Sequence, residues 1–359
     1  MATVEEQIEV LQEEIRKTPY HKGTEHHIGK LRARIARLKD KTIDSQSKGG
    51  GGGGGGYAVR KHGDATVILI GPPSAGKSTL INKLTNAQSR VAAYAFTTVS
   101  VVPGMMEYKN ARIQILDVPG LIEGAEEGRG RGREVLSVTR GADLVIIMTD
   151  IQRPSVIDSL KKALERNGIR INTQKPLVRI EKKVQGGLNI VSNIKQELGK
   201  DTIKEVAFEM GLKNGDVAIN EKISLDRLID AFSHNRVYVP AIFVVNKCDT
   251  NIKAASNNAD EYLYISAEKA INLDVLKEKI WEALSFVQVF LVNEHEEPST
   301  NHPIIVKSDF TLLDVAQKVG TNFAATKKSA KIWGNSAKFY GQEVSLSTKV
   351  KDGMQVRFI

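Results

Sequence analysis

The sequence predicts an α/β protein built on a mainly parallel sheet with helices on both faces. Three observations carry this expectation. From Thr66 onward, short β-rich runs alternate with helical stretches, as in a parallel sheet whose crossovers are helices. The first of those runs, residues 67–70, leads into a glycine-framed turn and then a helical pattern. The chain has 359 residues and 41% hydrophobic content, enough apolar material for two or three domains.

The elements follow in order. Val4, Ile8, Leu11 and Ile15 recur at helical spacing, as do Ile28, Leu31, Ile35 and Leu38, with Pro19 and Gly23 between them. Residues 1–48 are therefore expected to form a helical hairpin whose two apolar stripes face each other. Residues 49–56 are eight consecutive glycines, which bury no side chain and carry maximal backbone entropy, so 49–62 reads as a tether. The central α/β domain is expected over 63–292, with strands at 67–70, 113–116, 144–148, 242–245 and 263–265. Residues 168–239 separate two of these strands. They carry their own helical stripes (Ile203, Val206, Ala207 and Met210, then 225–232), so an inserted subdomain is expected rather than a loop. The last unit, 293–359, reads as a small α+β domain, with strands at 304–306, 344–346 and 355–359 and a helix at 311–319.

Composition narrows the function. No run of 18 apolar residues predicts a membrane span, and the opening residues lack the layout of a secretory signal. One cysteine, Cys248, allows no intrachain disulfide or Cys-rich metal site, and a reducing cytoplasm is the expected compartment. The net charge is +9, and nine Lys/Arg against Glu25 and Asp40 fall between Arg16 and Lys41. From Pro303 onward Lys/Arg exceed Asp/Glu by nine to four. Both regions predict an RNA or ribosome contact. His21, His26 and His27 cluster without acidic or cysteine companions and do not read as a metal site.

Residues 71–78 read G-P-P-S-A-G-K-S, the G-x-x-x-x-G-K-S pattern placed between strand and helix. Such a loop turns its N–H groups inward around a phosphate, aided by the start of the following helix. Gly71, Ser74, Ala75, Gly76, Lys77, Ser78 and Thr79 are the expected cradle. Lys77 would reach the β- and γ-phosphates, and Ser78 would offer a hydroxyl to Mg²⁺. Asp117 to Gly120 read D-V-P-G at the end of a strand. Asp117 would hold Mg²⁺ through water, and the Gly120 N–H would meet the γ-phosphate. Asn246, Lys247 and Asp249 belong to an N-K-C-D run after another strand. A carboxylate there accepts from guanine N1–H and the 2-amino group, donors that adenine lacks. Lys247 would pack its stem along the ring. The next strand ends on Ser266 and Ala267, whose backbone N–H would meet guanine O6. Phe96, Thr97 and Thr98 lie where a mobile loop supplies a second hydroxyl to Mg²⁺; Thr98 is favoured, with Thr97 the alternative. Lys77, Thr98 and Gly120 are the residues expected to act at the reacting phosphate.

These motifs, with the glycine run, A-F-T-T at 95–98, D-V-P-G-L-I at 117–122 and E-G-R-G-R-G-R at 127–133, resemble the Obg-type GTPases. Specifically, they resemble the developmentally regulated GTP-binding family in its archaeal form, over essentially the whole chain. The resemblance implies a GTPase domain, an insertion similar to the second domain of ribosomal protein S5, and a C-terminal TGS domain of β-grasp fold. It further implies GTP and GDP as ligands and an association with ribosomes or translation. Eukaryotic members often need a stabilising partner protein.

Ras-like proteins follow D-x-x-G with a glutamine that orients the attacking water, but Leu121 stands here. Slow intrinsic hydrolysis is therefore expected. Three substitutes stay open: a monovalent cation such as K⁺, a group from a partner, or an arginine among Arg129, Arg131 and Arg133. Potassium-using relatives carry asparagine where Ser74 stands. The glycine-rich stretch 124–132 is expected to be a switch. Two other readings stay open, an RNA-binding protein whose nucleotide is structural and an NTPase of relaxed base specificity.

Overall fold

A computed structural model describes residues 3–48, 62–85, 102–117, 138–250, 261–301, 303–334 and 336–359. The glycine run, Phe96, Thr97, Thr98, Gly120, Leu121, Arg129, Arg131 and Arg133 lie outside the described residues. The chain divides into two compact units, Met1–Gly56 with Gly168–Tyr238, and Tyr57–Asn167 with Val239–Ile359.

The second unit holds a six-stranded sheet. Its strands are β1 (Ala65–Ile70), β2 (Val102–Tyr108), β3 (Ala111–Asp117), β4 (Leu144–Asp150), β10 (Ala241–Asn246) and β11 (Leu263–Tyr264). Their order is β11-β10-β4-β1-β3-β2. All neighbours are parallel except β2, which pairs antiparallel with β3 at the edge. Every residue of β1 and β4 is buried, as expected of central strands covered on both faces. Helix α3 (Lys77–Leu84) packs Leu80, Ile81 and Leu84 into that core, and α7 (Leu273–Ala283) adds Leu276, Ile280 and Trp281. Strand β2 has no counterpart among the predicted strands. Its Pro103 and Gly104 weaken any strand signal, and both are tolerated because β2 is an edge. A Cβ at Gly104 would fall 2.6 Å from Thr85 Cγ2 and 2.7 Å from Ile81 Cγ2, so the glycine lets α3 lie against the strand.

The C-terminal sheet comprises β12 (Phe286–Leu291), β13 (Pro303–Lys307), β14 (Ser329–Trp333), β15 (Gln342–Ser345) and β16 (Met354–Phe358). Its order is β13-β12-β16-β14-β15, with β12 and β16 parallel and the other pairs antiparallel. Helix α8 (Leu312–Val319), opened by a Thr311/Asp314 capping box, buries Leu312, Val315 and Ala316 with Val289, Ile332 and Val356. Strand β12 lies before Asn293, the expected start of this domain, so the sheet begins earlier than composition suggested. The domain is fastened at the amino end of β1 and beside β4, where Lys318 Nζ donates to Asp64 and Lys307 pairs with Asp143. Parallel strands put that end opposite the phosphate loop.

The first unit joins the N-terminal helices to the insertion. Helix α1 is Val4–Lys17 and α2 is Glu25–Lys48. A three-stranded sheet, β6 (Val178–Lys182), β8 (Gly215–Ile219) and β7 (Leu188–Ser192), is covered by α5 (Lys200–Glu209) and α6 (Leu225–Phe232). Strands β5 (Ile169–Ile171) and β9 (Val237–Val239) pair with each other, and α4 (Val156–Arg166) precedes them. The expected pairing of the two helices is found, but α2 has a second packing partner. Although α1 and α2 do meet, α2 also carries a stripe of Gly29, Ala33 and Ala36, and its two alanines share one core with Val206, Ala207, Leu225 and Leu228. Small side chains let the helices approach closely, a feature that the larger residues Ile28, Leu31, Ile35 and Leu38 obscured. Glu25 accepts from the Gly199 N–H and Thr202 Oγ1 at the start of α5, and Asp40 pairs with the buried Arg236. Both acids of the basic segment therefore turn inward. A Cβ at Gly29 would lie 3.2 Å from Thr202 Cγ2 and 3.3 Å from Leu225 Cδ1. Gly29→Val is expected to cost about 1–3 kcal/mol by overpacking, read as a lower thermal unfolding midpoint, while His26→Ala on the exposed face changes little.

Candidate nucleotide site

Five segments reach the carboxyl ends of neighbouring strands: the loop after β1, Asp117 after β3, Asp150 after β4, Asn246 after β10 and Ser266 after β11. Ligands of open α/β sheets sit at that edge.

The loop 71–78 is held in a particular shape. Ser74 and Gly76 adopt positive φ, 62° and 90°. A Cβ at Gly76 would meet Asn246 Nδ2 at 2.3 Å and one at Gly71 would meet Met148 O at 2.1 Å, so both glycines are required by contact. Each carbonyl from 71 to 75 accepts a side-chain hydrogen bond. Lys77 Nζ donates to Gly71 O and Pro72 O, both at 3.0 Å. Arg153 Nη2 donates to Pro73 O at 3.1 Å, Lys247 Nζ to Ser74 O at 2.8 Å and Asn246 Nδ2 to Ala75 O at 2.8 Å. Pro72 and Pro73 carry no N–H, and the Ala75 N–H donates to Pro72 O at 3.4 Å. In a trans peptide the N–H points away from its C=O, so the Ser74 and Gly76 donors face away from the held Pro73 and Ala75 carbonyls.

Lys77 and Asp117 are both buried, at 8% and 5% exposure. Burial pushes the lysine's pKa down and the aspartate's up, while their mutual attraction opposes both shifts. Ser78 Oγ donates to Asp117 Oδ2 at 3.0 Å, and Asp117 Oδ1 is buried with no partner among the described residues. A hydroxyl and a carboxylate with a spare buried lone pair are hard oxygen donors, so the residues present fit Mg²⁺.

At the base end, Asp249 forms an ion pair with Lys269 at 3.2 Å. A hydrogen bond from Ser266 and then the Lys269 ammonium hold its carboxyl below the usual range. The Ala267 N–H, expected to meet guanine O6, donates here to Asn246 Oδ1 at 2.9 Å. Ala267 is 1% exposed, and a buried N–H needs an acceptor without the base. The stem of Lys247 runs over the loop, with its Nζ spent on Ser74. Thus Gly71, Ser74–Lys77, Ser78, Thr79, Asp117, Asn246, Lys247, Asp249, Ser266 and Ala267 lie along one sheet edge. Residue spacing gave no hint of Asp150, Arg153 or Lys269. Asp150 could have been noticed because it closes a strand that is apolar from Leu144 to Met148, where a carboxylate is out of place.

Comparison with known proteins agrees with this geometry. Residues 66–183 match the family described as 50S ribosome-binding GTPase, 185–286 the C-terminal region of that domain and 287–359 the TGS domain. A GTP-binding protein of Methanocaldococcus jannaschii is 45% identical, covering 98% of this chain and 91% of its own. Developmentally-regulated GTP-binding protein 1 of Xenopus laevis is 38% identical, covering 95% of each chain. The solved YchF GTPase of Schizosaccharomyces pombe is 13% identical with a TM-score of 0.44, over 84% of this chain and 99% of that one; so loose a likeness carries no weight here.

Proposed function

The chain belongs to the developmentally regulated GTP-binding proteins, a family of P-loop GTPases, and from that premise we propose that it is a Mg²⁺-dependent guanine-nucleotide switch acting on RNA or the ribosome. The observation that carries the nucleotide half is the pair of held carbonyls at Pro73 and Ala75, whose peptides turn the Ser74 and Gly76 N–H groups to the opposite side, where a phosphate would sit. Lys77 would exchange its two loop carbonyls for phosphate oxygens. Ser78 and Asp117 would hold Mg²⁺, which when bound offsets phosphate charge. Asp249 would take the guanine edge. Phe96, Thr97, Thr98 and Gly120 would complete the phosphate end. With Leu121 in place of a water-orienting glutamine, hydrolysis is slow until K⁺, an arginine or a partner supplies what is missing.

The RNA half rests on α2. Lys30, Arg34, Arg37 and Lys41 are exposed at spacings of four, three and four, which places them on one helix face. With Glu25 and Asp40 turned inward, the acids of the segment itself do not offset that face, although Lys30 lies 3.9 Å from Glu205 and Arg37 donates to Glu209 O. The matched family's description as ribosome-binding points the same way. Sedimentation with ribosomes in GTP analogue, GDP and no nucleotide tests the proposal. Tightest binding is expected with the analogue, weakening steeply with salt, and weaker still after Arg34→Glu with Lys41→Glu. Equal affinity in all three states would reject the switch.

A further inference from the structure

The loop carbonyl of Pro73 is held from outside the four expected motifs. Arg153 donates to it through Nη2 at 3.1 Å and is itself gripped by Asp150, Nη2 to Oδ2 at 2.6 Å. Asp150 is 3% exposed at the end of β4 and also accepts from the Gln152 N–H, so its carboxylate is set before any ligand arrives. Thr149 Oγ1 donates to Arg153 O at 2.9 Å and fixes the backbone that presents the guanidinium.

The loop sequence makes that bond consequential. Pro72 and Pro73 have no N–H, so the first donor after Gly71 is that of Ser74. It belongs to the same peptide as the Pro73 carbonyl, and a trans peptide sends the two in opposite directions. Ser74 is also at φ 62°, a strained position for a non-glycine residue that a peptide flip would relieve. We infer that Arg153, anchored by Asp150, is a positioning residue of the nucleotide site, which holds the Ser74 N–H toward the bound phosphate. This rests on the phosphate-loop assignment above.

The test uses the full-length chain and GDP carrying a methylanthraniloyl label. Arg153→Ala is expected to speed release of the labelled GDP roughly tenfold or more, the loss of one charge-assisted hydrogen bond. Asp150→Asn should follow in the same direction. Arg153→Lys should recover part of the loss, because an ammonium reaches the carbonyl but cannot grip the carboxylate in two places. In steady-state hydrolysis the loss should fall on KM far more than on kcat, whereas general misfolding lowers the active fraction and hence kcat. If Arg153→Ala fails to fold, Asp150→Asn and Arg153→Lys carry the test. Release rates within twofold of the parent in the variants that fold overturn the positioning role and leave the nucleotide assignment standing. A parent chain that fails to bind labelled GDP overturns both.

Discussion

Asp249→Ala is expected to weaken GDP binding by about two to three orders of magnitude while leaving the fold intact. The carboxylate accepts two hydrogen bonds from guanine, each worth roughly 1.5–3 kcal/mol when the acceptor is charged. Of its two partners in the protein, Lys269 has a side chain 62% exposed and simply rehydrates when the carboxylate goes, and the Ser266 hydroxyl keeps its bond from the Lys269 N–H, so unfolding midpoints should move little. Asp249→Asn is the sharper variant. It turns one acceptor into a donor that faces the guanine N1–H and amino group, and it suits xanthine, whose 2-oxo group accepts. Competition binding with GDP, ADP and xanthosine diphosphate reads all three. A loss below tenfold in Asp249→Ala, or equal affinity of the parent for ADP and GDP, would sink the guanine assignment.

What could be foreseen depended on distance along the chain. The loop 71–78 was legible because all its parts sit within eight residues, where spacing alone encodes shape. Asp117 and Asp249 were legible because each directly follows a run that reads as a strand. Arg153 lies 80 residues from the carbonyl that it holds, and only the register of β4 beside β1 brings the two together. The acceptor that the Ala267 N–H finds here was hidden for a related reason, because Asn246 reaches it from β10, the strand beside β11. On the fold side, the period of α2 was plain but its allegiance was not. Large apolar residues marked one face, whereas Gly29, Ala33 and Ala36 mark a second face by being small. A pattern of absent bulk is read only when the helix that fills the space is known.

That same pairing of α2 with the insertion bears on how a switch could work. Glu25 and Asp40 are each spent inside this unit, on the start of α5 and on Arg236. Arg236 also pairs with Asp230, which Arg170 grips from the other side. Breaking one member of so buried a set leaves an uncompensated charge, so α2 and the insertion should move as one body. The cationic face of α2 therefore reports the position of the whole unit.

Asp117→Asn should lower GTP hydrolysis by about two to three orders of magnitude, the usual scale for removing one charged group that serves the reacting phosphate. The structure adds a second consequence that a purely chemical role would not give. Asp117 is buried with Oδ1 lacking a partner among the described residues, and burial raises its folded pKa above the unfolded value. A carboxyl shifted that way contributes stability when protonated, and the contribution is lost as pH rises through the folded pKa. Above the folded pKa the nucleotide-free protein thus holds a destabilising charge, which among the described residues the Lys77 ammonium and the Ser78 hydroxyl relieve. Asparagine cannot take up the proton. The stability of Asp117→Asn relative to the parent should therefore fall as pH is lowered below the folded pKa, because the parent alone gains from protonation. Denaturant unfolding of both proteins without nucleotide, from neutral pH downward, measures the gap. A gap that stays constant would mean that the carboxylate is already well solvated. An Asn variant that keeps hydrolysis within tenfold would remove Asp117 from the site. If both effects appear together, the site stores an unsatisfied carboxylate for the nucleotide complex at the expense of the empty protein's stability.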